Sequence, residues 1–215
     1  MGEIPGKGSD RYDASGNVEA EYVDVDRTVL VNKRGVTDLA TLQHLEEESL
    51  ASAYRALLSE TRLDTPMSCA LVRHIHRRIF GELYEWAGRW RTVWISKPGI
   101  TWPAPDLIDQ NMNVWQREVV GKYPAISLRR DHAFCGAVAE IQGEFLVIHP
   151  FREGNARTVK LLTDLLATQT GRRPLVYDPS DEGKKLYVEA AEAAFRKDYA
   201  PLSQVIRQAL EQARC

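Results

Sequence analysis

Residues 149–160 read His-Pro-Phe-Arg-Glu-Gly-Asn-Ala-Arg-Thr-Val-Lys, a run that holds a base, a carboxylate, a Gly-Asn turn and two cations. His149 is the one group in it whose ordinary pKa, about 6.5, lets it take a proton near neutral pH. A histidine that bonds a carbonyl at a helix end is the blander explanation, and the company His149 keeps argues against it. Glu153 either stabilises a helix dipole or holds Mg²⁺ beside a phosphate, since Mg²⁺ prefers a carboxylate or two plus phosphate oxygens. Gly154 and Asn155 at a helix start leave backbone N–H groups for an anion. Arg157 and Lys160 are three apart and share a face of the first turns. The helix dipole disfavours cations at that end, so two of them point to an anion between them; a solvated face is the alternative. Together these parts suit a site that grips a nucleotide triphosphate beside a base.

Two helices must position the run. Phe134, Val138, Ile141, Phe145 and Ile148 repeat at four and three, and Pro150 stops that helix. A second helix is predicted from Gly154 to about Thr168, with Val159, Leu162, Leu165 and Leu166 apolar. Upstream, Asp38 can cap a helix to about Leu58, with Leu39, Leu42, Leu45, Leu50, Tyr54 and Leu57 inward. Pro66 opens another to about Trp86. Residues 91–102 carry β-branched and aromatic residues either side of Pro98-Gly99 and read as a small hairpin. Helices are predicted again over 106–120, 182–195 and 201–213. Residues 1–25 lack periodicity and read as a mobile arm before one domain over 26–213. The fold class is all-α, a helical bundle with a small β-hairpin.

Composition bounds the rest. A chain of 215 residues with formal net charge -2 gives no bulk attraction to nucleic acid or anionic membrane. Cys69, Cys135 and Cys215 have no ligand-like spacing and suit a reducing compartment. No apolar leader is visible, and no stretch approaches the about 18 apolar residues of a membrane span. A cytoplasmic location is expected. His74 and His76, two apart on a helix, point to different faces and read as structural rather than metal-binding. Trp86, Trp90, Trp94, Trp102 and Trp115 read as packing around the hairpin.

The run resembles the signature of the Fic (filamentation induced by cAMP) family, His-x-Phe-x-Asp/Glu-Gly-Asn-Gly-Arg-x-x-Arg. It matches at His149, Phe151, Glu153, Gly154, Asn155 and Arg157, and departs at Ala156 and Lys160. Leu83-Tyr84-Glu85-Trp86-Ala87-Gly88 with Arg91 is similar to a central block of that family, and Ile95-Ser96-Lys97 to its flap hairpin. The resemblance covers roughly residues 22–205.

It implies a Fic-fold bundle that adenylylates proteins, moving AMP from ATP, with Mg²⁺, onto a Tyr, Thr or Ser hydroxyl of a target protein. His149 would be the general base and Glu153 the Mg²⁺ ligand. Gly154, Asn155 and Ala156 would cradle the phosphates, with the Asn155 side chain near the α-phosphate. Arg157 and Lys160 would meet the terminal phosphates. Phe151 would anchor the loop, and Ile95, Ser96 and Lys97 would take the target's extended segment. Ala156 adds a methyl, costly only if that position needs φ > 0; Lys160 keeps the charge but loses the planar fork. The alternatives are a degenerate module that binds nucleotide or a partner without catalysis, and a transferase with another donor. Ser15 to Glu19 has the spacing of the family's inhibitory segment but lacks its ending. The resemblance therefore implies a separate small antitoxin as the inhibitor, engaging Lys160.

Overall fold

The computed structural model describes residue 19 and residues 21–214. Most of the arm predicted over 1–25, and all but Glu19 of the Ser15–Glu19 segment, lie outside the described residues. Among those described, the fold is the expected helical bundle with one two-stranded hairpin.

The centre is a helix pair. Helix α4, Asp131–Ile148, buries Phe134, Val138, Ile141 and Phe145, and α5, Asn155–Gln169, buries Val159, Leu162 and Leu165. Both are buried on most of their circumference, which fits helices with neighbours all round. Helices α1, Leu39–Glu60, and α2, Cys69–Phe80, pack on α5; α3, Ile108–Val114, α6, Asp181–Ala193, and α7, Ala200–Gln212, pack on α4. The short loop 149–154 is thereby held between two fixed helix ends.

Local chemistry sets the boundaries. Asp38, Ser68 and Ser180 cap α1, α2 and α6 with side-chain oxygens that accept the N–H of Thr41, Leu71 and Gly183. The predicted helix from Pro66 to Trp86 is shorter at both ends. After Phe80 the chain makes tight turns that stack Tyr84 and Trp86, ring centroids 4.5 Å apart. A continued helix would have sent residues two apart to opposite sides. The predicted helix over 106–120 is instead α3 between a 3₁₀ turn, Pro105–Leu107, and a π turn, Trp115–Val119. There Trp115 Nε1 donates to the Ile141 carbonyl at 3.1 Å.

Two strands are shorter than predicted: β1, Ser96–Lys97, pairs antiparallel with β2, Ile100–Thr101, across Pro98-Gly99. On α1, Leu39 is exposed rather than inward, and Glu46 occupies an inward position with Leu42, Ala53 and Leu57. Tyr22, expected in the mobile arm, pairs with Leu30 by a β-bridge, and its hydroxyl accepts from Arg152 Nη2 at 2.7 Å.

Behind α5 lies a buried polar network. Gln142 Nε2 donates to Thr163 Oγ1 at 2.7 Å and Tyr177 at 2.9 Å, and its Oε1 accepts from Tyr187 at 2.8 Å. Asp164 accepts from the Leu175 N–H at 2.9 Å and the Tyr54 hydroxyl at 2.8 Å. Burial nonetheless raises its pKa to about 7. In the unfolded chain the same carboxyl titrates near 4. Between those values the folded state binds the extra proton, so this group's contribution to stability falls as pH rises. Chemical denaturation at pH 4 to 7 is expected to show that decline in the wild type, and a flatter profile over the same window in Asp164→Asn.

Candidate active site

His149 is the joint between α4 and the loop. Its backbone is left-handed, φ 53 and ψ 60, a conformation that costs a non-glycine residue roughly 1–2 kcal/mol. Its N–H still donates to the Phe145 carbonyl at 2.9 Å, ending the helix, and its own carbonyl accepts from Arg91 Nε at 2.8 Å. The side chain is buried against Trp102, ring centroids 4.4 Å apart. Nδ1 lies 3.3 Å from the Leu146 carbonyl, which Trp102 Nε1 also reaches at 3.0 Å. A carbonyl can only accept, so Nδ1 carries the proton and Nε2 the lone pair. The ring is thus set up as a base at Nε2.

The loop is braced from inside. Phe151 is fully buried and stacks on His76, centroids 3.7 Å apart. His76 Nε2 donates to the Glu153 carbonyl at 3.0 Å while its Nδ1 accepts from the Gly88 N–H at 2.8 Å. Burial lowers its pKa to about 3, so it is a neutral linker between the turn after α2 and the loop. Asn155, expected near the α-phosphate, is bonded to the loop itself. Its Oδ1 accepts from the Phe151 N–H at 2.9 Å and its Nδ2 donates to the Phe151 carbonyl at 2.8 Å, so the side chain shapes the loop.

Gly154 has no substitute here: φ is 77, and an added Cβ would lie 2.2 Å from the Phe80 ring. As N-cap of α5 it brings no side chain to the first-turn N–H groups, unlike Asp38, Ser68 and Ser180 on their helices. That uncapped end is where an anion is stabilised. Ala156 sits inside α5 and is not among the residues with positive φ, so its methyl carries no backbone strain.

Charge is arranged around the same turn. Arg157 Nη1 donates to Glu46 Oε2 at 2.6 Å, and Nη2 lies 3.6 Å from Glu153 Oε1. The guanidinium also covers the Phe80 ring at 4.7 Å. Tyr84 donates to the other Glu46 oxygen. Glu153 Oε1 accepts from the Gly154 N–H at 3.0 Å, which places its carboxylate beside the α5 start. Lys160, expected at the terminal phosphates, lies elsewhere: its ammonium is 3.7 Å from the Tyr187 ring centroid and 4.1 Å from that of Tyr177. Burial lowers its pKa to about 8, opposed by Asp164.

Of the three hairpin residues, Ile95 is buried with Val93 and Trp102 in a small core of its own, so its side chain is a support and not a contact. Ser96 and Lys97 are half-buried, and Lys97 Nζ pairs with Glu192 of α6 at 2.6 Å.

Sequence reading missed Glu46 and took His76 as bland. Both sit at inward positions of an apolar stripe, Glu46 four after Leu42 and His76 four after Val72. A polar group there needs a partner, and that was the available signal.

Gly154→Ala is expected to lower the thermal midpoint by several degrees and to abolish nucleotide binding, because it adds both strain and a clash. Ala156→Gly is expected to cost at most about 1 kcal/mol in denaturant unfolding and to leave nucleotide affinity, measured by calorimetry, within twofold of wild type.

A model of the Fic/DOC family matches residues 66–167. A probable protein adenylyltransferase of Sinorhizobium fredii, y4lH, is 30% identical over 179 residues, covering 83% of this chain and 90% of that protein. Three other curated relatives are longer, and the chain spans 31%, 42% and 30% of them. Among solved structures, the N-terminal Fic domain of Bep8 from Bartonella sp. 1-1C superposes with a TM-score of 0.74 at 19% identity, covering 88% of this chain and 94% of that one. BepC of Bartonella tribocorum, solved with AMPPNP, superposes with a TM-score of 0.70 at 18% identity, covering 85% and 92%. The matched model takes in the whole loop and its two flanking helix ends, and on these grounds the chain belongs to the Fic/DOC family.

Proposed function

We propose that the protein is a protein adenylyltransferase that moves AMP from ATP to a hydroxyl of a target protein. The observation that carries the reading is the pairing of His149, with its lone pair at Nε2, and the uncapped start of α5 six residues on. The protein adenylyltransferase named among the relatives and the AMPPNP in BepC support it.

The reaction is a substitution at the α-phosphorus. The acceptor hydroxyl gives its proton to His149 Nε2 as its oxygen forms the new P–O bond. The bond from the α-phosphorus to the bridging oxygen breaks, and pyrophosphate leaves. The backbone N–H groups at the α5 start and the Arg157 guanidinium stabilise charge on the phosphates. Glu153 fits a Mg²⁺ role: one half-buried carboxylate beside an anion cradle suits an ion that takes most of its ligands from phosphate and water. Bound there, Mg²⁺ would neutralise charge on the α- and β-phosphates. The hairpin at Ser96 and Lys97 is the surface assigned to the target's extended segment, by strand addition. A separate inhibitor of the antitoxin type and a cytoplasmic setting belong to the same reading and rest on the motif's resemblance.

A second reading, transfer from another donor, is favoured by one observation: the Lys160 ammonium sits between two phenol rings. Labelling a bacterial lysate with α-³²P and γ-³²P ATP in parallel separates the two. Protein label from the α position alone, reduced at least about a hundredfold in His149→Ala, is the expected result. Label from γ alone would make the protein a kinase, and no label with ATP binding intact would favour another donor or a non-catalytic module. In the same assay Arg157→Gln is expected to raise the KM for ATP at least tenfold and Lys160→Met less than threefold. Equal effects would return Lys160 to the phosphate site.

A further inference from the structure

We propose that Arg91 is the positioning residue for His149, and that its single guanidinium fastens the catalytic loop and both legs of the hairpin into one unit. Arg91 is 2% exposed, among the largest fully buried side chains of the protein. No carboxylate accepts from it among the described residues. Its partners are three backbone carbonyls: Nε donates to His149 at 2.8 Å, Nη1 to Val93 at 2.8 Å and Nη2 to Pro103 at 2.7 Å. Its own N–H donates to the Pro150 carbonyl at 2.8 Å. Val93 precedes β1 and Pro103 follows β2, so the fork holds the hairpin at its base on both sides.

A buried cation from which no carboxylate accepts among the described residues is expensive; burial lowers the Arg91 pKa to about 10, and the charge of Glu19 opposes that shift. Three carbonyls aimed at one planar fork are what keep it there. A lysine has the charge but not three divergent N–H vectors fixed in a plane. What the fork secures is specific. The His149 carbonyl belongs to a left-handed residue, and rotation of that peptide would carry the imidazole off the Leu146 carbonyl that sets its tautomer. Arg91 is buried and turns its fork to backbone carbonyls, so its effect on chemistry runs through His149.

The inference deepens the transferase reading and rests on it for one arm of its test. Arg91→Lys is expected to lower α-label transfer at least tenfold while ATP affinity, measured by calorimetry on the protein alone, stays within twofold. The His149 Cε1–H resonance is expected to move in the same variant, reporting a displaced ring. Transfer within twofold of wild type, a loss matched by ATP affinity, or an unmoved His149 resonance would each overturn the proposal. If Arg91→Lys does not fold, the wild type decides: a scalar coupling from Arg91 Nε to the His149 carbonyl carbon supports it, and its absence with rapid Nε–H exchange overturns it. If the wild type transfers no label, the transferase reading fails alone, because the resonance and coupling measurements do not depend on it.

Discussion

The left-handed backbone of His149 is the constraint on which the rest of the site depends. It turns the chain out of α4 in one residue and puts the imidazole at the helix end, six residues before α5 begins. A glycine would adopt φ 53 without cost, but a glycine carries no base. The strain of roughly 1–2 kcal/mol is offset without giving up the last helical bond. The N–H stays on the Phe145 carbonyl, and the carbonyl receives a charged donor from Arg91. A hydrogen bond to a charged group contributes about 1.5–3 kcal/mol, enough to balance the strain. The strained residue, its cationic brace and the hairpin base are therefore one structural problem with one solution.

The second constraint is electrostatic. The α5 start is positive through first-turn N–H groups that no carbonyl of the helix accepts, yet Arg157, in that same turn, lies between two carboxylates, Glu46 and Glu153. Glu46 is buried and comes from α1, so it fixes the guanidinium from the protein side and leaves the helix end to the ligand. Glu153 lies on the loop with a backbone N–H on one oxygen. On the proposed reading, a polyphosphate would meet a guanidinium already oriented and half-desolvated. Opposite charges about 4 Å apart at a partly exposed site interact by roughly 4 kcal/mol, so its orientation matters more than the count of cations.

Much of this was legible in the sequence because it was local. The periodicity of α4 and α5, the break at Pro150 and the residue types of the loop all sit within about forty positions. Asp38 was readable as a cap for the same reason. What escaped was long-range. Nothing near Glu46 says that its partner is Arg157, 111 positions on. His76 reaches Glu153 across 77 positions, and the stacking on Phe151 that fixes its role is a tertiary contact. The loop bonds of Asn155 were hidden for a different reason: an amide beside an expected phosphate site serves equally well as a ligand or as a brace, and its bonds to Phe151 show only in the folded loop. The α2 end was misplaced because Tyr84 and Trp86 bury themselves by turning, which tertiary packing imposes over helix propensity.

The departure at Lys160 follows from its surroundings. Tyr177 and Tyr187 present their faces 4.1 Å and 3.7 Å from the ammonium, the spacing of a cation–π cage. Gln142 holds both phenol hydroxyls, and Asp164 lies one turn on along α5. A compact ammonium fits between two rings braced in this way. The lowered pKa, about 8, is the mark of that desolvation. A charge set so deep ties Tyr187 of α6 to α5. The two cations that look equivalent in the sequence thus sit differently: Arg157 pairs with Glu46 and Glu153 at the α5 start, and Lys160 ties α5 to the two tyrosines behind it.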